Sequence, residues 1–191
     1  MKSVKVIIAA LTLSLITFSG VAAPKVVTLN KSASSIAWLA KKVTGEHNGT
    51  VGISAGALNV DGNKLIGGNF TIDLKTIKDL DLTDPGYNQK LVGHLSSGDF
   101  FEVEKFPTAT FVITKVAGKQ VTGNLTAKGI TKSITFPAEI TVNGGKVTAK
   151  ANITIDRTDF NIRYNSKKFF ESIGDKAIYD DFALTVSLVS E

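Results

Sequence analysis

The sequence predicts an all-β protein, an antiparallel barrel of about eight strands carrying one short helix. Three observations lead there. Over most of residues 24–191, Thr, Val, Ile and Phe alternate with polar residues, the period of a strand with one buried face. Gly, Asn and Asp interrupt that alternation roughly every ten residues, the spacing of turns in an antiparallel chain. A single segment, about residues 85–96, breaks the pattern. A sandwich would satisfy the same alternation. Strands of about ten residues leave long edges, however, and closure into a barrel removes them.

Taken in order, "MKSVK" places Lys2 and Lys5 ahead of the uncharged run "VIIAALTLSLITFSGV", and Ala22 and Ala23 follow. That order of basic, apolar and small residues predicts a cleaved secretory signal over residues 1–23, and with it a periplasmic or secreted location. The apolar run is shorter than the roughly 20 residues a membrane span needs, so cleavage is expected over a retained anchor. "SSIAWLAKKVTG" reads as a strand with Ile36, Trp38 and Ala40 on one face. "HNGTVGISAGALNVDGNKLIGGNFTIDLKTI" reads as two long strands joined at the hairpin signal "DGN". In the second of these, Phe70, Ile72 and Leu74 share the apolar face.

"LTDPGYNQKLVGHLSS" offers Thr83 or Asp84 as a helix N-cap, Pro85 at the first helical position, and Tyr87, Leu91 and Leu95 at helical spacing. Pro107 then marks the start of a new strand. "TATFVITKV", "QVTGNLTAKG", "KSITFPAEITV", "KVTAKANITIDRT" and "DDFALTVSLVS" continue the strands, with a tight turn at "NGG". The long connection "RYNSKKFFESIGDKAIY" carries Phe169, Phe170 and Ile173 and is expected to fold back over apolar surface.

Residues 24–191 have the length of one domain with its own core. The chain has no cysteine, which removes disulfides, thiolate chemistry and Cys-based metal sites together. The formal charge of +5 falls to about +3 once Lys2 and Lys5 leave with the signal. The remaining lysines are scattered singly or in pairs, so no nucleic-acid partner is expected.

Four stretches, "WLAKKVTGEHNGTV", "KLVGHLSSGDFFEVEKFPTATF", "GNLTAKGITKSITFP" and "IDRTDFNI", together resemble the YceI-like family of exported bacterial proteins, the lipid- and polyisoprenoid-binding group. The likeness runs in order along the whole of residues 24–191. It implies an extended antiparallel eight-stranded lipocalin-like β-barrel. Its lumen would hold a polyisoprenoid, an isoprenoid quinone or a fatty-acid-like lipid noncovalently, with no cofactor; the alternatives are a hydrolase or isomerase on a hydrophobic substrate using His94 or His47, or an interaction module for a membrane enzyme. Further partner expectations are a transient membrane contact and a homodimer.

In such a barrel the apolar strand faces and the ligand pocket coincide. The expected lumen set is Trp38, Phe70, Ile72, Leu74, Leu91, Phe100, Phe101, Phe111, Ile113, Ile153 and Ile155, with Phe100 and Phe101 splitting between the interior and a loop. Candidate head-group contacts are His47, His94, Lys42, Arg157 and Arg163, the arginines because a pyrophosphate would accept bidentate hydrogen bonds. His94 stands near Ser96, Ser97 and Asp99, the residue types of a catalytic triad. No strand–turn–helix elbow surrounds them, and a histidine in a last helical turn is favoured by the helix dipole, so a structural role is expected. His47 with Glu46 and His94 lacks a metal-ligand spacing, and no metal is expected.

Overall fold

The computed structural model describes residues 23–191. The predicted signal, apart from Ala23, lies outside the described residues.

Nine antiparallel strands form one closed sheet: β1 (Lys25–Thr28), β2 (Ser35–Lys42), β3 (Gly45–Asp61), β4 (Lys64–Asp79), β5 (Thr108–Ala117), β6 (Gln120–Ala127), β7 (Ile130–Asn143), β8 (Lys146–Asp156) and β9 (Ile178–Val189). The neighbours run β1/β2, β9, β8, β7, β6, β5, β4 and β3, and the β3–β4 pairing completes the ring. β1 and β2 lie end to end along one edge of β3, opposite Leu58 and Thr50 respectively. The nine segments therefore make an eight-stranded barrel. Three connections at one end are two-residue turns, at Gly62–Asn63, Gly118–Lys119 and Gly144–Gly145. The long connections, residues 80–107 and 157–177, both lie at the opposite end, which is the mouth.

The longest strand, β3, has 17 residues, and three register shifts against β4 bend it around the wall. The shift between Ile53 and Ala55 also exchanges inside for outside along β3. Ile53 faces in from an odd position, whereas Leu58 and Val60 face in from even ones. On β4, Phe70, Ile72 and Leu74 are buried as a period of two requires, and then the phase flips. Residues 74–77 are accommodated opposite a single β3 residue, with Thr76 Oγ1 donating to the Asp73 carbonyl and accepting from Gly52 N–H. After that bulge Ile77 and Asp79 are the buried positions.

β7 changes neighbours at Pro137. Residues 130–137 pair with β6, and 138–143 with β8. The Ala138 N–H donates toward β6, to Lys119, so by alternation the proline nitrogen faces β8 and has no proton to give. Pairing with β8 stops there.

α1 (Pro85–Ser96) begins where the sequence places it: Asp84 is the N-cap and its carboxylate accepts the Tyr87 N–H at 2.9 Å. No residue of α1 is fully buried, so the helix lies on the rim against β4 rather than in the core. The core proper fills the closed end, where the Phe70 and Phe111 rings stand 5.5 Å apart and those of Phe111 and Phe136 5.6 Å apart.

Candidate functional site

The mouth half of the barrel holds a void of about 940 Å³, including the part open to solvent. Its walls are apolar side chains from β2, β3, β4, β5, β6 and β9, with Leu95, Phe100 and Phe101 closing it from the helix side. A second, narrower void of about 440 Å³ lies deeper, lined by residues that include Phe70, Phe111 and Leu188. Among the described residues, Arg157 is the only charged one on the upper wall and Lys150 the only one on the lower.

Of the residues singled out in the sequence, Trp38, Ile72, Leu74, Phe100, Phe101 and Arg157 line the upper void. Phe70, Phe111, Ile113 and Ile153 line the lower one. Leu91 lines neither, because α1 sits on the rim and reaches the void only through Leu95. Ile155 is buried in the core, also away from both voids. Phe100 and Phe101 both line the upper void, and the Phe100 ring also packs under the 157–177 connection, 5.6 Å from Tyr164. Alternation identifies further wall residues that the motifs did not, Ala109 on β5, Leu125 on β6 and Leu184 on β9.

Trp38 owes its position to Gly49 across the β2–β3 pair. A Cβ there would stand 1.8 Å from the Lys78 carbonyl oxygen and 2.5 Å from the indole, so only glycine lets the ring lie against the strand. The Trp38 Nε1 is shut off from solvent and has no hydrogen-bonding partner.

The polar candidates are mostly committed to the protein itself. Arg157 is 4% exposed, and its guanidinium donates to the carbonyls of Ile162 at 3.0 Å and of Ile178 and Tyr179 at 3.1 Å. Asp180 lies 3.2 Å from its Nη2. These bonds hold residues 157–179 as a roof over the mouth. Arg163 lies over the Phe169 ring at 4.6 Å, and Lys42 ends β2 opposite Gly45. The connection lies over the mouth, but Phe169 and Phe170 are not what it buries: they are 42% and 48% exposed, while Phe160 and Ile162 are buried. The roof is anchored through Arg157 and the fully buried Ser166, which leaves the two phenylalanines outside.

His94 stands in the last turn of α1. Its Nε2 meets Asp99 Oδ2 at 3.0 Å, and its ring lies edge-on to Phe100 and Tyr164 at 4.9 and 4.6 Å. The nearby hydroxyls are spent elsewhere: Ser96 donates to the Val92 carbonyl and Ser97 to that of His94. A nucleophile–base hydrogen bond is thus absent at this cluster, and the histidine ties the helix to the roof.

His47 does not meet Glu46 and His94, since Glu46 pairs with Lys41 and His94 with Asp99. Its Nδ1 instead lies 2.9 Å from Asp81 Oδ2, while Asp81 Oδ1 accepts the Asn48 N–H at 2.7 Å. Asp79 adjoins this pair. Burial, together with the neighbouring Asp81, pushes the Asp79 carboxyl up from the usual range against the pull of its bond from Leu82. Burial also raises Asp81, but its bonds from Asn48 and His47 outweigh that and hold it below the usual range.

Asp156, at the foot of the roof, shows a similar balance. Burial raises it, and hydrogen bonds from Lys168 and Thr158 win, so its folded pKa is depressed. A depressed carboxylate stabilises the fold above its unfolded pKa of about 3.9, and the contribution is lost as pH falls through the folded value. Asp156→Asn is therefore expected to lower stability at neutral pH and to flatten the acid limb of the stability–pH curve. Urea unfolding at a series of pH values checks this; an unchanged acid limb would refute it.

Comparison with known proteins agrees with this architecture. The YceI-like domain family matches residues 27–190. A UPF0312 protein of Staphylococcus aureus (strain MSSA476) is 38% identical over 85 residues, 41% of this chain and 50% of the relative. A UPF0312 protein of Yersinia enterocolitica is 40% identical over 79 residues, 36% of this chain and 41% of the relative. The matched stretch thus spans about half the length of these relatives or less. Among solved structures, BcnA of Burkholderia cenocepacia superposes with a TM-score of 0.66 at 25% identity, over 85% of this chain and 99% of that one. A polyisoprenoid-binding domain from Saccharophagus degradans gives 0.65 at 14% identity, over 86% and 97%. With the family matched from β1 to the end of β9 and the barrel shared with these structures, the chain belongs to the YceI-like domain family.

Proposed function

We propose that the protein is an exported carrier or storage protein that holds a polyisoprenoid, an isoprenoid quinone or a fatty-acid-like chain noncovalently in its lumen. The observation that carries the reading is the apolar upper void, partly open to solvent, with a smaller apolar void deeper in the barrel. Family membership supports it, as does the shared fold with the polyisoprenoid-binding domain of S. degradans.

The energetics are sufficient. One buried CH₂ contributes roughly 0.8 kcal/mol, so a five-carbon unit gives about 4 kcal/mol. Three such units offset much of the roughly 4–15 kcal/mol that association costs. The chain alone can bind, and methylene contacts discriminate weakly, so specificity is loose. Val43, Leu80, Phe169, Phe170 and Tyr179 stand exposed on the rim and suit a transient contact with the membrane that supplies the lipid.

Native mass spectrometry and solvent extraction of protein purified without detergent test the reading. A bound species of long-chain lipid mass is expected. Protein that is empty, and that takes up neither isoprenoids nor fatty acids, would overturn it.

A further inference from the structure

The bulge in β4 has a chemical consequence at the rim. By turning Asp79 inward it brings three metal-ligating side chains together from separate segments: His47 at the start of β3, Asp79 at the end of β4, and Asp81 in the connection to α1. One ligand atom of each lies within 4.8 Å of the others. Asp79 is 6% exposed; its Oδ1 accepts from Leu82 N–H at 2.9 Å and from the Asn88 amide at 3.0 Å. Its Oδ2 has no partner and no access to solvent. A buried carboxylate oxygen facing a second carboxylate requires a proton or a cation between them.

We propose that His47, Asp79 and Asp81 form a site for one divalent first-row transition cation, of which Zn²⁺ is the representative. One imidazole nitrogen and two carboxylate oxygens are a donor set for such ions, and three protein ligands leave a fourth position for water. Tetrahedral bonds of about 2.0–2.1 Å place ligand atoms about 3.3 Å apart, so the set has to close inward by an ångström or so, with the His47–Asp81 pair opening slightly. The supporting shell is already built. The Leu82 N–H and the Asn88 amide orient Asp79, and the Asn48 N–H orients Asp81. A cation here ties the start of β3 to the β4–α1 connection, beside the wall of the upper void. The site stands whether or not the lumen carries lipid.

Isothermal titration of Zn²⁺ into the chelator-treated full-length chain, with thermal unfolding in parallel, tests it. Expected are one equivalent bound and a midpoint raised by several degrees. Asp79→Asn and His47→Gln should each weaken binding at least tenfold. Asp79→Asn reproduces the shape of a protonated Asp79 and keeps the acceptor for Leu82 and Asn88, so it is expected to fold. His94→Ala removes the other histidine–carboxylate pair and should leave one equivalent bound. Absence of binding, or binding that survives Asp79→Asn and falls in His94→Ala, would overturn the proposal.

Discussion

Replacing Arg157 by methionine is expected to destabilise the protein by about 3–5 kcal/mol, the loss seen when one partner of a buried charged network is removed. The side chain of Arg157 is 5% exposed and that of its neighbour Asp180 16%. Methionine retains much of the apolar stem but supplies no donor. The carbonyls of Ile162, Ile178 and Tyr179 would lose their side-chain hydrogen bonds from Arg157, and Asp180 would lose its close positive charge. Each orphaned group costs about 1–3 kcal/mol where water cannot reach it. For a domain of this size the midpoint of thermal unfolding should fall by about 10 °C or more. Arg157→Lys should lie between, because one ammonium cannot reproduce a planar fork that reaches three carbonyls. Ile162 and Tyr179 line the upper void as well as accept these bonds, so loosening the roof should also speed ligand release. A loss below about 1 kcal/mol would mean that the roof is held by other contacts.

The same arginine shows how far the sequence could be read. Its place beside "TDFNI" suggested a head-group donor, but only the fold reveals that three backbone carbonyls converge on it, one from nearby Ile162 and two from Ile178 and Tyr179 more than 20 residues away. Where a period of two runs unbroken, the reading succeeds in detail. Phe70, Ile72 and Leu74 face inward, and the helix starts at Pro85 because Asp84 and the proline act within four residues of one another. Where a bulge shifts the phase, it fails. Strict alternation from Leu74 would send Asp79 to the surface, and the accommodation of residues 74–77 sends it inward instead. The His47–Asp79–Asp81 cluster was therefore invisible, since its making depends on a register shift and on a connection more than 30 residues away in sequence. Phe169 and Phe170 illustrate a different limit: hydrophobicity says that burial is favourable, not which residues of a connection obtain it, and here Phe160 and Ile162 are buried while Phe169 and Phe170 are not.

If the lumen carries lipid, Ala109→Trp should abolish most of the binding while the barrel stays folded. Ala109 is 6% exposed, lines the upper void, and stands in register with Ile72 across the β4–β5 pair. An indole placed there projects into the space that a chain would occupy. Excluding even one five-carbon unit removes about 4 kcal/mol, close to a thousandfold in Kd at 1.4 kcal/mol per decade. Overpacking of the wall costs about 1–3 kcal/mol, and the adjoining void relieves part of it. Val112→Trp, on the outer face of the same strand and at a position 45% exposed, adds the same ring outside the lumen and should leave uptake unchanged. Titration with a fluorescent fatty acid or a short polyprenol gives the two affinities, and circular dichroism confirms the fold of each variant. Equal affinities in the two variants would place the ligand outside the barrel, for instance on the exposed rim. A selective loss in Ala109→Trp would make the hollow between the strands the binding element. Gly49 would then have a functional reason as well as a steric one, since it sets the Trp38 ring against the wall of that hollow.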